Sequence, residues 1–219
     1  MIVTIDGPSG AGKSTLAKRV AKEFGLTYLD TGAMYRALAV KLLRLGLDLA
    51  DGEGLTKLVG STEIDLAERN GRVEVLLDGE EVSDLIRTPE VSQMASRASA
   101  LQVVRKRMLE LQRALGRRGN VVAEGRDIGT VVLPDADLKM YLDASIGERA
   151  RRRHAEFSHQ GRAVTEQIVL EDLRRRDQID SERTVSPLRP ADDAIIIETD
   201  GLSQQEVLRR ALQLVDGAS

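Results

Sequence analysis

The sequence predicts an α/β fold: a parallel sheet flanked by helices, carrying a phosphate-binding loop, a small antiparallel insertion and a helical lid. Three observations predict it. Gly7-Pro8-Ser9-Gly10-Ala11-Gly12-Lys13-Ser14 matches G-x-x-x-x-G-K-[ST] at every fixed position, behind the apolar residues 2–5 and ahead of an amphipathic stretch at 16–21. Apolar runs at 27–29, 120–123, 138–143 and 194–198 alternate with helical periodicities such as 33–45 and 101–115, the pattern of a sheet buried on both faces. One segment, 57–97, breaks this alternation with short period-two strands around Asn70-Gly71 and Asp78-Gly79, dipeptides that signal hairpins.

The first strand runs into the glycine loop, whose backbone must turn its N–H groups inward around a polyphosphate. Glycine permits the positive φ values and the close approach that this needs. Lys13 is placed to reach the outer phosphates and Ser14 to offer a hydroxyl to Mg²⁺, so residues 7–14 together with Thr15 form the expected triphosphate-binding set. After the second strand comes Asp30-Thr31-Gly32-Ala33-Met34-Tyr35-Arg36. Ligands of open α/β sheets lie beyond the strands' carboxyl ends, which points Thr31 and Arg36 at a second substrate; Asp30-Thr31 reads equally as a helix cap. The 57–97 segment reads as a substrate-side insertion or as a surface hairpin. Glu124-Gly125-Arg126-Asp127-Ile128-Gly129 follows a later strand, where an arginine and an aspartate held by glycines suit a phosphate and a hydrogen-bond donor; a surface ion pair is the plainer reading.

The later half is dense in arginine. Helical spacing puts Arg149, Arg152 and Arg153 on one face and Arg176, Asp180 and Arg183 on another, as anion clamps or as solvated helix surface. Residues 156–161 read as the tip of a lid between them. His154 and His159 lack the neighbours that a metal site or catalytic triad needs.

Composition narrows the classes. At 219 residues with 42% hydrophobic content, the chain fits one α/β domain with small insertions. The absence of cysteine excludes disulfides, thiol nucleophiles and thiolate metal sites. A net charge of -3 argues against a surface that coats nucleic acid. No apolar run approaches the ~20 residues that span a bilayer, and the core strand begins at residue 2, so a cytoplasmic protein without a targeting segment is expected.

The combination GPSGAGKS, YLDTGAMYRA, AEGRDIGTVV and RRRDQIDSERTVSPL, in this order and spacing over essentially the whole chain, is similar to the bacterial cytidylate kinase family. The phosphate loop is widely shared; DTGAMYR, EGRDIGT and the D-x-x-R of Asp180 to Arg183 carry the resemblance. It implies a nucleoside monophosphate kinase with a core at 1–56 and 98–219, a monophosphate-binding insertion at 57–97 and a lid at 148–163. The implied reaction moves a phosphoryl group from ATP, with Mg²⁺, to CMP or dCMP in a monomeric enzyme without nucleic-acid or membrane partners. Lys13, Arg126, Arg152 and Arg153 would then neutralise the transferring group. By motif, Arg36, Arg126 and Arg183 fall where the family holds the acceptor phosphate, Asp180 and Arg176 where it contacts the sugar, and Ser96, Arg105 and Asp127 where it reads cytosine. Thr31, Ser14 and Glu124 stand where serine, glycine and aspartate also occur in the family. The residues also admit two other readings. One is another small-molecule kinase with the same loop, and the other is a nucleotide-binding switch, although no N-K-x-D guanine element is present.

Overall fold

A computed structural model describes residues 1–69 and 72–218. Five parallel strands form the main sheet in the order β2-β6-β1-β7-β8, with β1 Ile2–Asp6, β2 Thr27–Asp30, β6 Val121–Gly125, β7 Leu138–Asp143 and β8 Ile195–Glu198. Strand β1 lies centrally, with Ile2 opposite Val121 of β6 and Val3 opposite Leu138 of β7. Strands β1, β6 and β7 read as unbroken apolar runs because Val3, Ile5, Val122, Met140 and Leu142 are all buried, whereas the edge strand β8, read as buried on both faces, leaves Ile195 and Ile196 exposed.

The chain forms two compact units. The first comprises residues 1–28 and 119–219, the second residues 29–118. In the first unit, helix α1 (Lys13–Phe24) packs on β1 and β6 and touches α8 (Gln204–Ala218). Glycine ends α1 in the way its missing Cβ favours: Gly25, at φ 62°, donates its N–H to Ala21 O. Helices α6 (Ile146–His159) and α7 (Glu166–Ser181) form an antiparallel pair turned by Gly161 at φ 71°. Buried Ala150, Val169 and Leu173, flanked by Ile146, Phe157, Val164 and Leu170, give this pair an apolar cluster of its own. Helix α7 stops at Ser181, so Arg183 lies beyond the helix on which periodicity put it.

In the second unit, α2 (Thr31–Leu45) packs on α4 (Pro89–Ala98), a 3-10 turn at Leu85–Arg87 and an antiparallel sheet. That sheet is β3 (Ile64–Arg69), β4 (Arg72–Leu77) and β5 (Glu80–Glu81), in that order. Asp78 and Gly79 both take positive φ, 49° and 85°, as the tight turn from β4 to β5 demands. The Asn70-Gly71 turn lies outside the described residues. Helix α3 (Gly52–Gly60) rests on α5 (Gln102–Gly116). Met34, Leu38, Leu42, Val59, Val82 and Met108 form this unit's fully buried interior.

Candidate active site

The phosphate loop leaves the central strand at Gly7. A Cβ on Gly7, whose φ is 143°, would lie 2.1 Å from Leu142 O of β7, so only glycine lets β1 run into the loop beside its neighbour. Lys13 opens α1, is buried, and donates from Nζ to Pro8 O at 2.8 Å. Burial and the nearby Arg126 cation push its ammonium down to about 7, against the pull of Glu124, Asp6 and Asp180. Ser14 and Thr15 on the same first turn are exposed.

Asp6, the last residue of β1, fixes the next strand's loop. Its carboxylate accepts N–H bonds from Ile128 at 2.9 Å and Gly129 at 2.7 Å, at the start of a π-helical turn over Ile128–Val132. Burial raises its pKa to about 6, although those two amides favour the ionised form. Asp127, also buried, sits immediately before the turn that Asp6 holds.

A cationic cluster surrounds Asp180 on α7. Arg126 Nε donates to Asp180 Oδ2 at 2.7 Å, and Arg183 donates to Oδ1. Asp180 as a whole is 4% exposed. Burial alone would raise its pKa, but Arg126 and Arg183 outweigh that and hold it below the ordinary carboxylate range. Arg176 pairs with Asp172 at 3.0 Å, and its pKa is lowered first by burial and then by the neighbouring cations Arg153 and Arg126. The first unit therefore gathers Lys13, Arg126, Arg176 and Arg183 about the buried Asp180, with the carboxylates of Glu124 and Asp6 also close to Lys13, a set of cations suited to an anionic ligand.

The arginines of α6 part company. Arg152 turns to Thr199, donating to its carbonyl at 2.6 Å and its hydroxyl at 3.0 Å, and to Glu148 at 2.7 Å. Glu148, held by Arg151 and despite some burial also by Arg152, drops to about 2. Arg153 pairs with Glu156 at 2.6 Å and lies over the Phe157 ring. Arg152 and Arg153, three and four residues after Arg149, flank its side of the helix at about −60° and +40°, so the shared face stands and the different partners divide them.

Within the second unit, Asp30 caps α2 by accepting from Ala33 N at 2.8 Å, and it pairs with Arg36 at 3.1 Å. Thr31 is buried at the helix start. Arg105 is buried on α5 with Nη1 3.5 Å from Ser99 O, while Ser96 is half-buried on α4 and its carbonyl accepts from the Ser99 hydroxyl.

Two contributors escaped sequence reasoning. One is Asp6, whose only signal was its place between strand and loop. The other is Arg149, which is 5% exposed and joins the loop to α7. It stood in the arginine stretch, but nothing local distinguished it from its neighbours.

The cytidylate kinase family model matches residues 3–217. The chain belongs to the cytidylate kinase family. It is 47% identical over 215 residues to a cytidylate kinase of Carboxydothermus hydrogenoformans, covering 98% of this chain and 97% of that one. It is 48% identical over 217 residues to a cytidylate kinase of Bacillus velezensis, covering 99% and 97%. An uncharacterized protein from Eubacterium ventriosum, 12% identical with a TM-score of 0.52 over 99% of this chain and 98% of that one, shares the fold. Among the described residues of this family member, no helix is long and apolar enough to cross a membrane.

Proposed function

We infer that the chain is a kinase that transfers the γ-phosphoryl group of ATP to CMP or dCMP, giving ADP and CDP or dCDP. The observation that carries this reading, beside family membership, is the Arg126–Asp180–Arg183 cluster in the same unit as the phosphate loop. A phosphate monoester loses its second proton at about pH 6, so the acceptor arrives with an ionised oxygen and needs no general base. That oxygen attacks the γ-phosphorus, the bond to the β,γ-bridging oxygen breaks, and ADP leaves with the electron pair.

The protein's work is to orient the reactants and neutralise charge. The loop amides and Lys13 would hold the β- and γ-phosphates, Lys13 exchanging Pro8 O for a phosphate oxygen that restores its positive charge. Arg126 and Arg183, aligned by Asp180, would bind the acceptor phosphate with Arg36, and Arg176 and Asp180 the sugar. Ser96, Arg105 and Asp127 would read the base, with Thr31 beside the acceptor. Arg153 stands with the α7 arginines and would join them in neutralising the transferring group; Arg152, bonded to Thr199, would do so only by leaving that partner.

Mg²⁺ fits this site only as a companion of the triphosphate. Among the described residues no group of three or more His, Cys, Asp or Glu side chains could hold a metal, and Ser14 offers one exposed hydroxyl. Ser14 would hold the ion, which when bound would supply positive charge against the triphosphate. We propose further that the enzyme acts in the cytoplasm as a monomer, with the 57–97 segment on the acceptor side and the 148–163 segment as its lid. An assay of ADP release across CMP, dCMP, UMP, AMP and GMP tests the reading: turnover with CMP and dCMP far above the rest is expected, and preference for another acceptor contradicts it.

A further inference from the structure

Arg149 makes more connections than any role assigned so far requires. It lies in the first turn of α6 and is almost fully buried. Its Nε donates to Ala144 O at 2.9 Å, anchoring the guanidinium to the turn between β7 and α6. Its Nη1 donates to Ser9 O of the phosphate loop at 3.1 Å and to Asp177 Oδ1 at 3.1 Å, while Nη2 donates to Asp177 Oδ2 at 2.6 Å. One planar fork thus grips the loop from behind and α7 from the side, a set of contacts that a lysine ammonium cannot reproduce. The loop also packs on it, since a Cβ on Gly10 would come 3.2 Å from Arg149 Cβ.

Both grips act on groups that handle phosphate. The peptide between Ser9 and Gly10 is planar and trans, so drawing Ser9 O toward Arg149 turns the Gly10 N–H the opposite way, fixing one donor of the loop. On α7, Asp177 lies one turn before Asp180 and next to Arg176. The α6–α7 pair has its own apolar cluster, and its named links to the rest of the unit are polar: Arg149 to Ser9, Arg126 to Asp180, and Arg152 to Thr199. Polar docking can shift register without exposing a core.

We propose that Arg149 is a positioning residue that couples the phosphate loop to α7, so that a triphosphate in the loop sets the register of Arg176, Asp180 and Arg183. The structural coupling stands on the contacts above; its kinetic consequence rests on the kinase reading.

Two variants test it, Arg149→Lys, which keeps the charge, and Asp177→Asn, which loosens the same link from a partly exposed position and guards against a misfolded arginine variant. Hydrogen exchange is followed with and without saturating ATP and Mg²⁺. In the wild type, ATP slows exchange in both the loop and α7. In each variant the loop still responds and ATP affinity changes by no more than about threefold, but the slowing on α7 is lost. The kinetic arm uses whichever acceptor the wild type phosphorylates: kcat falls about tenfold or more at saturating substrates, because misplaced reactants cost rate rather than affinity, and the double variant is no slower than the worse single one. A wild-type α7 that ignores ATP, variants whose α7 still responds, or additive kinetic losses would overturn the proposal. A wild type that turns over another acceptor contradicts the CMP reading and leaves both arms able to judge Arg149.

Discussion

Replacing Asp180 by Asn probes the cationic cluster. Asp180 is 4% exposed and holds Arg126 at 2.7 Å together with Arg183, whose side chain is 7% exposed. The amide keeps the shape and one acceptor oxygen but removes the negative charge, leaving two guanidiniums facing each other. Breaking a buried ion pair from one side costs about 3–5 kcal/mol, and the retained acceptor places this case near the lower end, at about 3 kcal/mol. For a chain of this length that is a fall in Tm of about 6–12 °C at pH 7. The sign with pH follows from the direction of the shift. Asp180 titrates below its unfolded value in the native state, so its contribution is full above the ordinary carboxylate pKa of 3.8 and is lost as pH falls through the lower native value. The gap between wild type and variant should therefore narrow on strong acidification. Because the variant lacks its internal counter-charge, inorganic phosphate should raise its Tm more than that of the wild type, and a second change, Arg183→Gln, should cost less in the variant than alone. Thermal and urea denaturation read all of this. A loss below about 1 kcal/mol with no phosphate effect would refute a buried carboxylate that balances two cations.

Three further outcomes follow from the same geometry. Lys13→Ala should lower kcat by at least ~10²-fold in a folded enzyme, as loss of a preorganised charge does; near wild-type kcat would exclude Lys13 from the transition state. Because free Lys13 titrates near 7 and a polyphosphate favours its charged form, ATP binding at pH 8 should take up a proton, seen as buffer-dependent calorimetric heats; heats independent of buffer ionisation would contradict it. Asp6 is shifted the other way, from 3.8 to about 6, so native protein holds its proton where unfolded protein has lost it, and wild-type stability relative to Asp6→Asn should decline by about 2 kcal/mol as pH rises from 4 to 7; a flat difference would show that Asp6 is not penalised by burial. Asp127→Asn should lower kcat/KM for CMP and raise the UMP/CMP ratio, because an amide can donate to uracil O4 where a carboxylate accepts from cytosine N4; an unchanged ratio would mean that Asp127 does not read the base.

The sheet was legible because its signals are local. Strand β1, the glycine loop and α1 are contiguous, and buried parallel strands announce themselves as apolar runs whatever their order. The β4–β5 turn was legible for a similar reason, as Asp78-Gly79 can adopt positive φ at both positions. The order of strands was not, since β6 reaches its place beside β1 from 119 residues away. Side-chain partners across such distances were equally hidden. Asp6 meets amides more than 120 residues on, and the choice of Arg149 rather than Arg152 to face the loop depends on Ser9, Asp177 and Thr199, none of them near in sequence. Helical periodicity assigns charged residues to a face, but neighbours decide which partner each one meets. Hence the arginine-rich stretches were visible as a group, while their division between the Asp180 cluster, the Thr199 anchor and the loop contact was not.

The central claim is that the loop and the Asp180 cluster serve one in-line transfer from ATP to a cytidine monophosphate. Incubating the enzyme with CMP and ATP labelled at the γ-phosphorus, then resolving the products, tests it most directly. The account predicts that the label appears in CDP in step with ADP formation, with little released as inorganic phosphate. Label that passes mainly to water, or remains in ATP while CMP is bound, would contradict it.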